Sequence, residues 1–546
     1  MRYVMTVLFL AGCVAVATGQ EVSRKRIAWT IEEGVDFLLG QQQADGGWGS
    51  LKDKEDMGGL PVAKSALVTM ALMHANLPKS APAQTKGFAF VVQHEPERAT
   101  YSAGAVLSML YKQGHPEKYS DLINEYIYRL IRSQKITGVQ AGSWGYNLEP
   151  YGPKDEEHRN TSVDDDIALR WRSDQSNMQF AVLALHFARL SGYQVPRKTW
   201  EMVKAYYVGA QHTDGGWAYY GDAYARTTPG GNVGASNNNM TIASTISLYL
   251  VEEALQSTEH RQCRPPDVSR AYEAGVKWLT DNWKGKLDTY GWYAIERLGI
   301  LTGRSNFGSH DWFEEGAQSL TTDRNWTVDQ GDKIASTALA VLFLARGLEP
   351  IVINKLQRTG DWNNDPYDIQ HVAEYISQRF QKPVQWRVIT LDASMEQLLR
   401  VPILFLNGHE KLVFTDEEKA KLKGYVEKGG CIFGMACCGK KPFNDSFRAL
   451  IAELFPESKL IPLPESHDIY TTPKRLANKP RLEELRFDLQ KPAPAVIYSP
   501  YDFCCQWSTG GGKSTAPLDL AANICFYVTR HSPLTKEEAA TPEVKP

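Results

Sequence analysis

Apolar residues recur at helical spacing over the first 350 residues, and two kinds of helix alternate along them. One kind has a single apolar stripe, as in 117–134, where Ile127, Leu130 and Ile131 fall on one side. The other kind is small and apolar almost all round, as in 334–346. A helix that is apolar on every side must be surrounded by protein, whereas a striped helix covers a core from outside. The alternation therefore predicts two concentric layers of helices.

Six helices of each kind can be placed from the apolar period and from the residues that break it. The predicted outer helices are 27–42, 82–93, 117–134, 197–211, 266–283 and 308–320, and the predicted inner helices are 62–75, 101–112, 175–191, 240–255, 291–302 and 334–346. No pair buries its own apolar face, so the repeats must close on one another.

A short motif, Q-x-x-D-G-G-W, joins an outer helix to an inner one at 42–48 and again at 211–217. Looser copies end at Trp144, Trp292 and Trp326. Glycine permits the turn, aspartate bonds nearby backbone N–H groups, glutamine bridges exposed backbone at a helix end, and tryptophan covers the junction. We therefore predict that these tryptophans are staples between repeats rather than platforms for a ligand.

The motif, followed by an inner helix such as the one that contains 181–185, resembles the repeats of the terpenoid cyclase and protein prenyltransferase family. The resemblance covers about residues 27–347 and implies an (α/α)6 toroid with a central cavity. Related toroids include complement-like thioester domains and, by a similar barrel, polysaccharide lyases. Fold therefore does not decide function.

The chemistry of these relatives is only partly matched. Class II cyclases carry D-x-D-D, and here the nearest run has Val163 before Asp164, Asp165 and Asp166. These three acids are the candidate catalytic residues of the helical region, on a long polar loop whose other interpretations are a solvated cap and a cation or sugar site. The zinc set of the prenyltransferases and the thioester stretch Gly-Cys-Gly-Glu-Gln are not found. Asp174, which follows the loop, is predicted to cap the next inner helix.

From about residue 361, strands and helices alternate. The predicted strands are 388–391, 401–406, 431–436 and 495–498, and the predicted helices are 394–399, 415–427, 443–455 and 518–529. This order predicts a flavodoxin-like α/β domain over 361–533 with a largely parallel sheet.

Ligands of open α/β sheets bind beyond the carboxyl ends of the strands. His409 follows the second predicted strand, and Cys437 and Cys438 follow the third, so we expect them to share a crevice. His467, which follows a proline-rich loop, is a further candidate base. A Cys–His pair suits acyl or amide chemistry, and the alternative for adjacent cysteines in an exported protein is a disulfide.

Several short stretches of this domain, among them 362–364, 407–409, 437–439 and 498–502, resemble a bacterial domain of unknown function. That domain often follows such toroids and is similar in fold to class I glutamine amidotransferases. The resemblance implies the fold and no activity.

The first 19 residues are predicted to be a signal peptide, because 4–16 is apolar and small residues follow it. An alternative is a lipid anchor at Cys13, since 10–13 matches a lipobox. No later stretch is long and apolar enough for a membrane span, and 534–546 predicts a disordered tail. The net charge of −3 provides no basic field for nucleic acid.

Together these features predict an exported, periplasmic or cell-envelope protein with a toroid over 24–350 and an α/β domain after it. No cofactor motif and no metal site is predicted. The leading hypothesis is a binding or interaction scaffold for a small molecule, a glycan or an envelope protein. Two alternatives stay open: a toroid enzyme similar to polysaccharide lyases or terpenoid cyclases, and a Cys–His hydrolase or amidotransferase-like activity in the C-terminal domain.

Overall fold

A computed structural model gives the architecture of the chain and describes residues 22–49, 60–148, 173–221, 234–256, 269–322, 326, 332–488, 493–510 and 514–535. In this part of the chain, a helical N-terminal region precedes a C-terminal mixed α/β sheet domain. None of the helices found there has the length and apolar character needed to cross a membrane. The predictions for the signal peptide, for Cys13, for Asp164, Asp165 and Asp166, and for all but the first two residues of the tail fall outside the described residues.

The predicted helices of the N-terminal region are confirmed to within a few residues. Among the described residues they are α1 (Arg24–Gly40), α2 (Pro61–His74), α3 (Pro82–Gln93), α4 (Thr100–Gln113), α5 (Ser120–Ser133), α6 (Gln175–Leu190), α7 (Arg197–Ala210), α8 (Asn238–Leu255), α9 (Arg270–Asn282), α10 (Thr289–Thr302), α11 (Trp312–Thr322) and α12 (Lys333–Gly347). The largest differences are at α9 and α11, each of which begins four residues later than predicted. A short hairpin of β1 (Asn306–Phe307) and β2 (His310–Asp311) precedes α11 and accounts for its later start, and the Asp311 carboxylate accepts the N–H groups of Phe313 and Glu314.

The apolar helices α2, α4, α6, α8, α10 and α12 pack side by side in sequence order, and α12 packs back against α2. Nearly all of their residues are buried, as the apolar pattern predicts. The first turns of these helices share one end of the ring, where Tyr101 Oη lies 2.6 Å from Ser176 Oγ and Asn239 Nδ2 donates to Asp288 Oδ1 at 3.0 Å. The inner helices therefore run parallel around a common axis.

The repeat motif makes the same contacts in its two full copies. The amide of Gln42 donates to the Gly46 carbonyl at 2.8 Å and to the Ala83 carbonyl at 2.9 Å. In the second copy, Gln211 donates to the carbonyls of Gly215 and Ala271, both at 2.8 Å. The indole N–H groups donate to carbonyls of the preceding outer helix, Trp48 to Leu38 at 2.6 Å and Trp217 to Tyr207 at 3.0 Å. Both indoles are fully buried, which confirms their prediction as staples.

The C-terminal domain contains a seven-stranded sheet in its described residues. Its strands are β3 (Ile351–Leu356), β4 (Gln385–Ile389), β5 (Ile403–Gly408), β6 (Cys431–Ala436), β7 (Ile461–Pro462), β8 (Glu483–Leu485) and β9 (Val496–Ser499). The order across the sheet is β4-β3-β5-β6-β9-β8-β7. The first five strands in this order are parallel, as predicted, whereas β8 and β7 form an antiparallel edge that was not predicted.

The helices of this domain pack on both faces of the sheet. They are α13 (Asp368–Arg379), α14 (Met395–Leu399), α15 (Asp416–Glu427), α16 (Lys441–Leu454), α17 (Cys504–Ser508) and α18 (Ala516–His531). The predicted helices among them are confirmed, including the capping box of Thr415 with Glu418. Neither β3 nor α13 was predicted, and β3 begins ahead of the expected start of the domain at 361.

The sheet domain covers the end of the helical ring at which the inner helices finish. The hydroxyl of Tyr249, on α8, donates to Gln370 Oε1 at 2.7 Å, and His371 Nε2 lies 3.0 Å from Glu253 Oε1. The Trp386 ring packs against Gly303, just after α10. Helices α2, α4, α10 and α12 enclose a polar cavity of about 90 Å³ together with α13 and β4. The opposite end of the ring, where the inner helices begin, makes none of these contacts with the sheet domain.

Candidate functional site

The carboxyl ends of four parallel strands bring a group of polar and sulfur-bearing side chains to one edge of the sheet. The group follows or ends β3, β5, β6 and β9 and comprises Asp361, Asp365, Asp368, Asn407, His409, Cys437, Cys438, Asp502, Cys504 and Cys505. Because Gly408 and Ala436 are in register on β5 and β6, His409 and Cys437 come next on adjacent strands. His409, Cys437 and Cys438, which the sequence predicts to share a crevice, thus lie at one edge of the sheet with more polar and sulfur-bearing residues than the sequence indicated.

A buried lysine holds the base of this crevice. Lys355, in β3, donates to Asp368 Oδ1 at 2.7 Å and to the Asp365 carbonyl at 2.8 Å, and its side chain is only 1% exposed. Asn407 donates to the other Asp368 oxygen at 3.4 Å. Burial raises the pKa of Asp368, and the Lys355 ammonium opposes that rise. The ion pair fixes the first turn of α13 against the sheet.

Asp365, Cys437 and Cys504 form a buried cluster above this ion pair. One carboxylate oxygen and the two sulfur atoms all lie within 4.8 Å of one another. The Cys504 sulfur also lies 3.2 Å from Met435 Sδ. Burial raises the pKa of Asp365 to about 8, with neighbouring acidic groups, Asp368 first, adding to the rise. Burial likewise raises the pKa of the Cys504 thiol, and its contact with Cys437 adds to that rise.

A second set, Cys438, Asp502 and Cys505, lies nearer to solvent at the same edge. Cys438 is exposed, and its backbone N–H donates to Asp502 Oδ2 at 2.8 Å. Its φ of 51° places it in the left-handed region, which residues with a Cβ seldom adopt. Cys438 therefore occupies a strained turn between β6 and α16. All described cysteines are free thiols in this structure.

His409 is oriented by Asp361. Its ring Nδ1 lies 3.3 Å from Asp361 Oδ1, and Asp361 Oδ2 accepts the backbone N–H groups of His409 and, at 2.8 Å, of Glu410. Burial alone would raise the pKa of Asp361, but the hydrogen bonds from the Glu410 and His409 N–H groups, together with the nearby His409 ring, lower it. Asp361 therefore remains ionised beside the imidazole.

The structure separates His467 from the other candidates. Its Nε2 lies 3.7 Å from Glu484 Oε2 on the edge strand β8, and its ring packs on Tyr527 with centroids 4.9 Å apart. Burial raises the pKa of Cys431, the first residue of β6, and the neighbouring Glu484 adds to that rise. Burial likewise raises the pKa of Tyr527, and Glu484 and Cys431 add to it. His467 is thus near the opposite end of β6 from Cys437.

Sequence reasoning missed Asp365, Asp368, Cys504 and Lys355 as members of the site. The second Cys-Cys pair was visible, but no pattern indicated which strand end would carry it. Asp365 and Asp368 were hidden because β3 and α13, which position them, were not predicted. Knowledge of those two elements would have placed both acids at the edge that holds His409 and Cys437.

A separate cluster of tyrosines lies at the end of the helical ring where the inner helices begin, and we refer to it as the tyrosine mouth. It comprises Tyr101, Tyr146, Tyr219 and Tyr290, of which Tyr146 is 39% exposed and the others are half-buried. The hydroxyls of Tyr146 and Tyr219 lie 2.6 Å apart, and the Tyr101 ring lies 6.0 Å from the Tyr146 ring.

Helix α6 forms the inner wall of the tyrosine mouth. Phe180 packs on Tyr101 with ring centroids 4.6 Å apart, and Gln179 Oε1 accepts the Tyr290 hydroxyl at 2.6 Å. The Gln179 amide nitrogen is buried and has no hydrogen-bond partner within the described part of the chain. Asp174 caps α6 by accepting the Asn177 N–H at 2.8 Å, which confirms its predicted role.

Comparison with known proteins identifies only the C-terminal domain. No curated protein matches the chain. Residues 352–528, which run from β3 into α18, match the family described as a domain of unknown function (DUF4159), in agreement with the resemblance that the sequence motifs carry.

Proposed function

We propose that the protein is exported to the cell envelope and binds a glycan at the tyrosine mouth of an (α/α)6 toroid. The closed packing of α2, α4, α6, α8, α10 and α12, with the striped helices outside them, supports the toroid. The QW-type motifs, which repeat the same contacts, support its relation to terpenoid cyclases and prenyltransferases. The sheet domain covers one end of the axis, and within the described residues the tyrosine mouth lies at the other end.

The observation that carries the proposal is the grouping of four partly exposed tyrosines at the end of the ring where the inner helices begin. Tyrosine presents an apolar ring face and a polar hydroxyl, and a sugar ring offers the complementary apolar face and hydroxyls. The buried Gln179 amide adds a donor without a partner among the described residues. The hydroxyls of Tyr146 and Tyr219 are hydrogen-bonded to each other at 2.6 Å. A sugar hydroxyl would therefore join or replace an existing hydrogen bond.

The experiment is calorimetric titration of the full chain with chitooligosaccharide, cello-oligosaccharide and muramidase-solubilised peptidoglycan. We expect one of these glycans to bind and the double variant Tyr146→Ala/Tyr219→Ala to lose about tenfold or more in affinity, since each ring contributes stacking and a hydroxyl. Tyr128→Ala is the matched control, because Tyr128 is 49% exposed on the outer helix α5. Equal losses in the two variants, or no binding of any glycan, would refute the proposal.

A second candidate function, thiol-dependent hydrolysis or acyl transfer in the sheet domain, is favoured by the conformation of Cys438. An exposed nucleophile on a strained strand-to-helix turn is the arrangement of a nucleophile elbow, and His409, which Asp361 orients, follows the adjacent strand β5. The order of the five parallel strands is that of flavodoxin-like folds. Iodoacetamide should alkylate Cys438 faster than Cys505, and the substitution His409→Ala should slow the alkylation of Cys438. If Cys438 reacts at the rate of a cysteine in an unstructured peptide, both in the parent protein and in His409→Ala, the thiol-dependent function is excluded.

A further inference from the structure

The buried cluster of Asp365, Cys437 and Cys504 has the composition of a metal site. We propose that these three side chains bind a thiophilic divalent metal ion of the Zn²⁺ class. This site lies in the sheet domain, and its existence does not depend on glycan binding at the tyrosine mouth.

The geometry of the cluster fits such an ion. Zinc bonds to sulfur at about 2.3 Å and to carboxylate oxygen at about 2.0–2.2 Å, so tetrahedral donors lie roughly 3.5–3.8 Å apart. The three donor atoms are already within 4.8 Å of one another. They follow three different strands, β3, β6 and β9: Asp365 lies three residues before α13, Cys437 follows β6 directly, and Cys504 begins α17. Small rotations of the side chains would therefore complete the coordination without movement of the sheet.

An unpartnered carboxylate oxygen provides an independent indication that the cluster binds a cation. Asp365 is 3% exposed, and its Oδ2 has no hydrogen-bond partner among the described residues. The nearby ammonium of Lys355 does not fill this role, because it donates to the Asp365 carbonyl and to the Asp368 carboxylate. A buried carboxyl oxygen without a partner is costly. A metal ion held with the two sulfurs would satisfy it.

The donor set indicates which kind of ion would bind. Two thiolates favour soft or borderline ions and disfavour Mg²⁺ and Ca²⁺, whereas a carboxylate beside them is common in zinc sites. The fourth position falls to water or to the Met435 thioether, whose sulfur lies 3.2 Å from Cys504 Sγ. Asn407 donates to the Cys504 sulfur at 3.4 Å and also to Asp368, so it orients the ligand from outside the coordination sphere.

Metal binding at this cluster must displace protons. Each thiol gives up one proton on becoming a thiolate, and Asp365 gives up one where it is protonated, so up to three protons leave as one divalent ion enters. The apparent affinity should therefore rise with pH.

The test uses the full chain, reduced and stripped of metal with a chelator, and titrated with Zn²⁺ against a chromophoric competitor. We expect one equivalent to bind, with a thiolate-to-metal charge-transfer absorption when Co²⁺ replaces Zn²⁺. Cys437→Ser and Cys504→Ser should each lose about a hundredfold or more in affinity, and Asp365→Asn about tenfold. Cys431→Ser and Cys525→Ser are matched controls, since both residues are buried cysteines of the same domain outside the cluster, and they should bind as the unsubstituted protein does.

A second measurement does not rely on the folding of the variants. In the unsubstituted protein, bound Zn²⁺ should protect Cys437 and Cys504 from alkylation under partly denaturing conditions, and should not protect Cys431 or Cys525. The proposal is overturned if the protein binds no stoichiometric Zn²⁺ when reduced, or if binding is lost instead in Cys438→Ser and Cys505→Ser. A disulfide between Cys437 and Cys504 in the protein as isolated from cells would also overturn it.

Discussion

Two glycines of the outer helices make room for the stapling tryptophans. A Cβ on Gly87 would lie 2.5 Å from the Trp48 ring, and one on Gly275 would lie 2.8 Å from the Trp217 ring and 2.5 Å from Thr245 Oγ1. The same close approach thus occurs in both full copies of the motif. A glycine inside a helix normally costs stability, so its presence here reflects the packing of the staple.

Gly275→Ala is therefore expected to destabilise the protein by about 1–3 kcal/mol, because the added methyl group overfills a packed junction. Gly209→Ala is the control, because Gly209 also lies in an outer helix. Unlike Gly275, it is exposed, and a Cβ there would have no atom within 4 Å. That substitution should be neutral or stabilising by up to about 1 kcal/mol. Thermal unfolding of the two variants beside the parent protein measures the difference. Similar midpoints for both would mean that the indole moves aside without cost.

The sequence indicated the staples but not the residues that receive them. Gln42, Trp48 and their counterparts stand in a recurring pattern, so their roles could be inferred from the chemistry of the turn. The sequences that flank Gly87 and Gly275 differ from each other. A single glycine in a helical segment does not indicate which side chain packs on it. Only the positions of the neighbouring helices reveal the contact.

At the scale of elements, β3 was missed because its apolar run is interrupted by two polar residues. Asn354 and Lys355 are fully buried within this strand, and a continuous buried strand is normally predicted from an unbroken apolar run. β5, β6 and β9 contain longer apolar runs and were predicted, and β4, which Arg387 interrupts, was predicted only in its last two residues. The fold tolerates Lys355 because Asp368, brought by α13, neutralises it. Lys355, one of the two polar residues that concealed the strand, thus also forms the base of the candidate site with Asp368.

Removing one partner of the Lys355–Asp368 ion pair should lower the stability of the fold far more than replacing both partners. Lys355→Met leaves the Asp368 carboxylate buried without its cation, and a loss of about 3–5 kcal/mol is expected. Asp368→Asn should also be destabilising, because the ammonium then remains unpaired. The double variant Lys355→Met/Asp368→Asn should be more stable than the sum of the single losses implies. Urea unfolding of the four proteins gives the coupling free energy, and strictly additive losses would show that the two groups do not depend on each other.

At the scale of the whole molecule, Glu253 joins the helical ring to the sheet domain. Its carboxylate contacts Arg189 and lies 3.7 Å from His186 Nδ1 within the ring, and it lies 3.0 Å from His371 Nε2 across the boundary. Burial lowers the pKa of His186 to about 3, with Arg189, His371 and Arg297 contributing to the decrease and Glu253 opposing it. His186 is therefore neutral in the folded protein at every pH where the protein is expected to work.

This buried neutral histidine makes the junction sensitive to acid. In the unfolded chain His186 takes up a proton below its ordinary pKa of about 6.5, whereas in the folded chain it does so only near pH 3. Its contribution to stability is thus fully present above pH 6.5 and is lost as pH falls from 6.5 towards 3, at up to about 1.4 kcal/mol for each pH unit. His371 acts in the opposite direction: burial lowers its pKa, but the hydrogen bond to Glu253 and the charges of Glu253 and Glu374 together outweigh burial and raise it.

His186→Asn should therefore weaken the fall in urea midpoint between pH 7 and pH 4.5, even if it lowers stability at pH 7. His115→Asn should leave the pH dependence of the parent protein unchanged, because the His115 side chain is 72% exposed. The pH dependence that remains in His186→Asn would come from the acidic groups of the junction, above all Glu253. Burial alone would raise the pKa of Glu253, but Arg189, His186 and His371 lower it. A slope identical in the parent and in His186→Asn would mean that His186 is protonated inside the fold. The junction would then be held by a buried charged network rather than by a neutral imidazole.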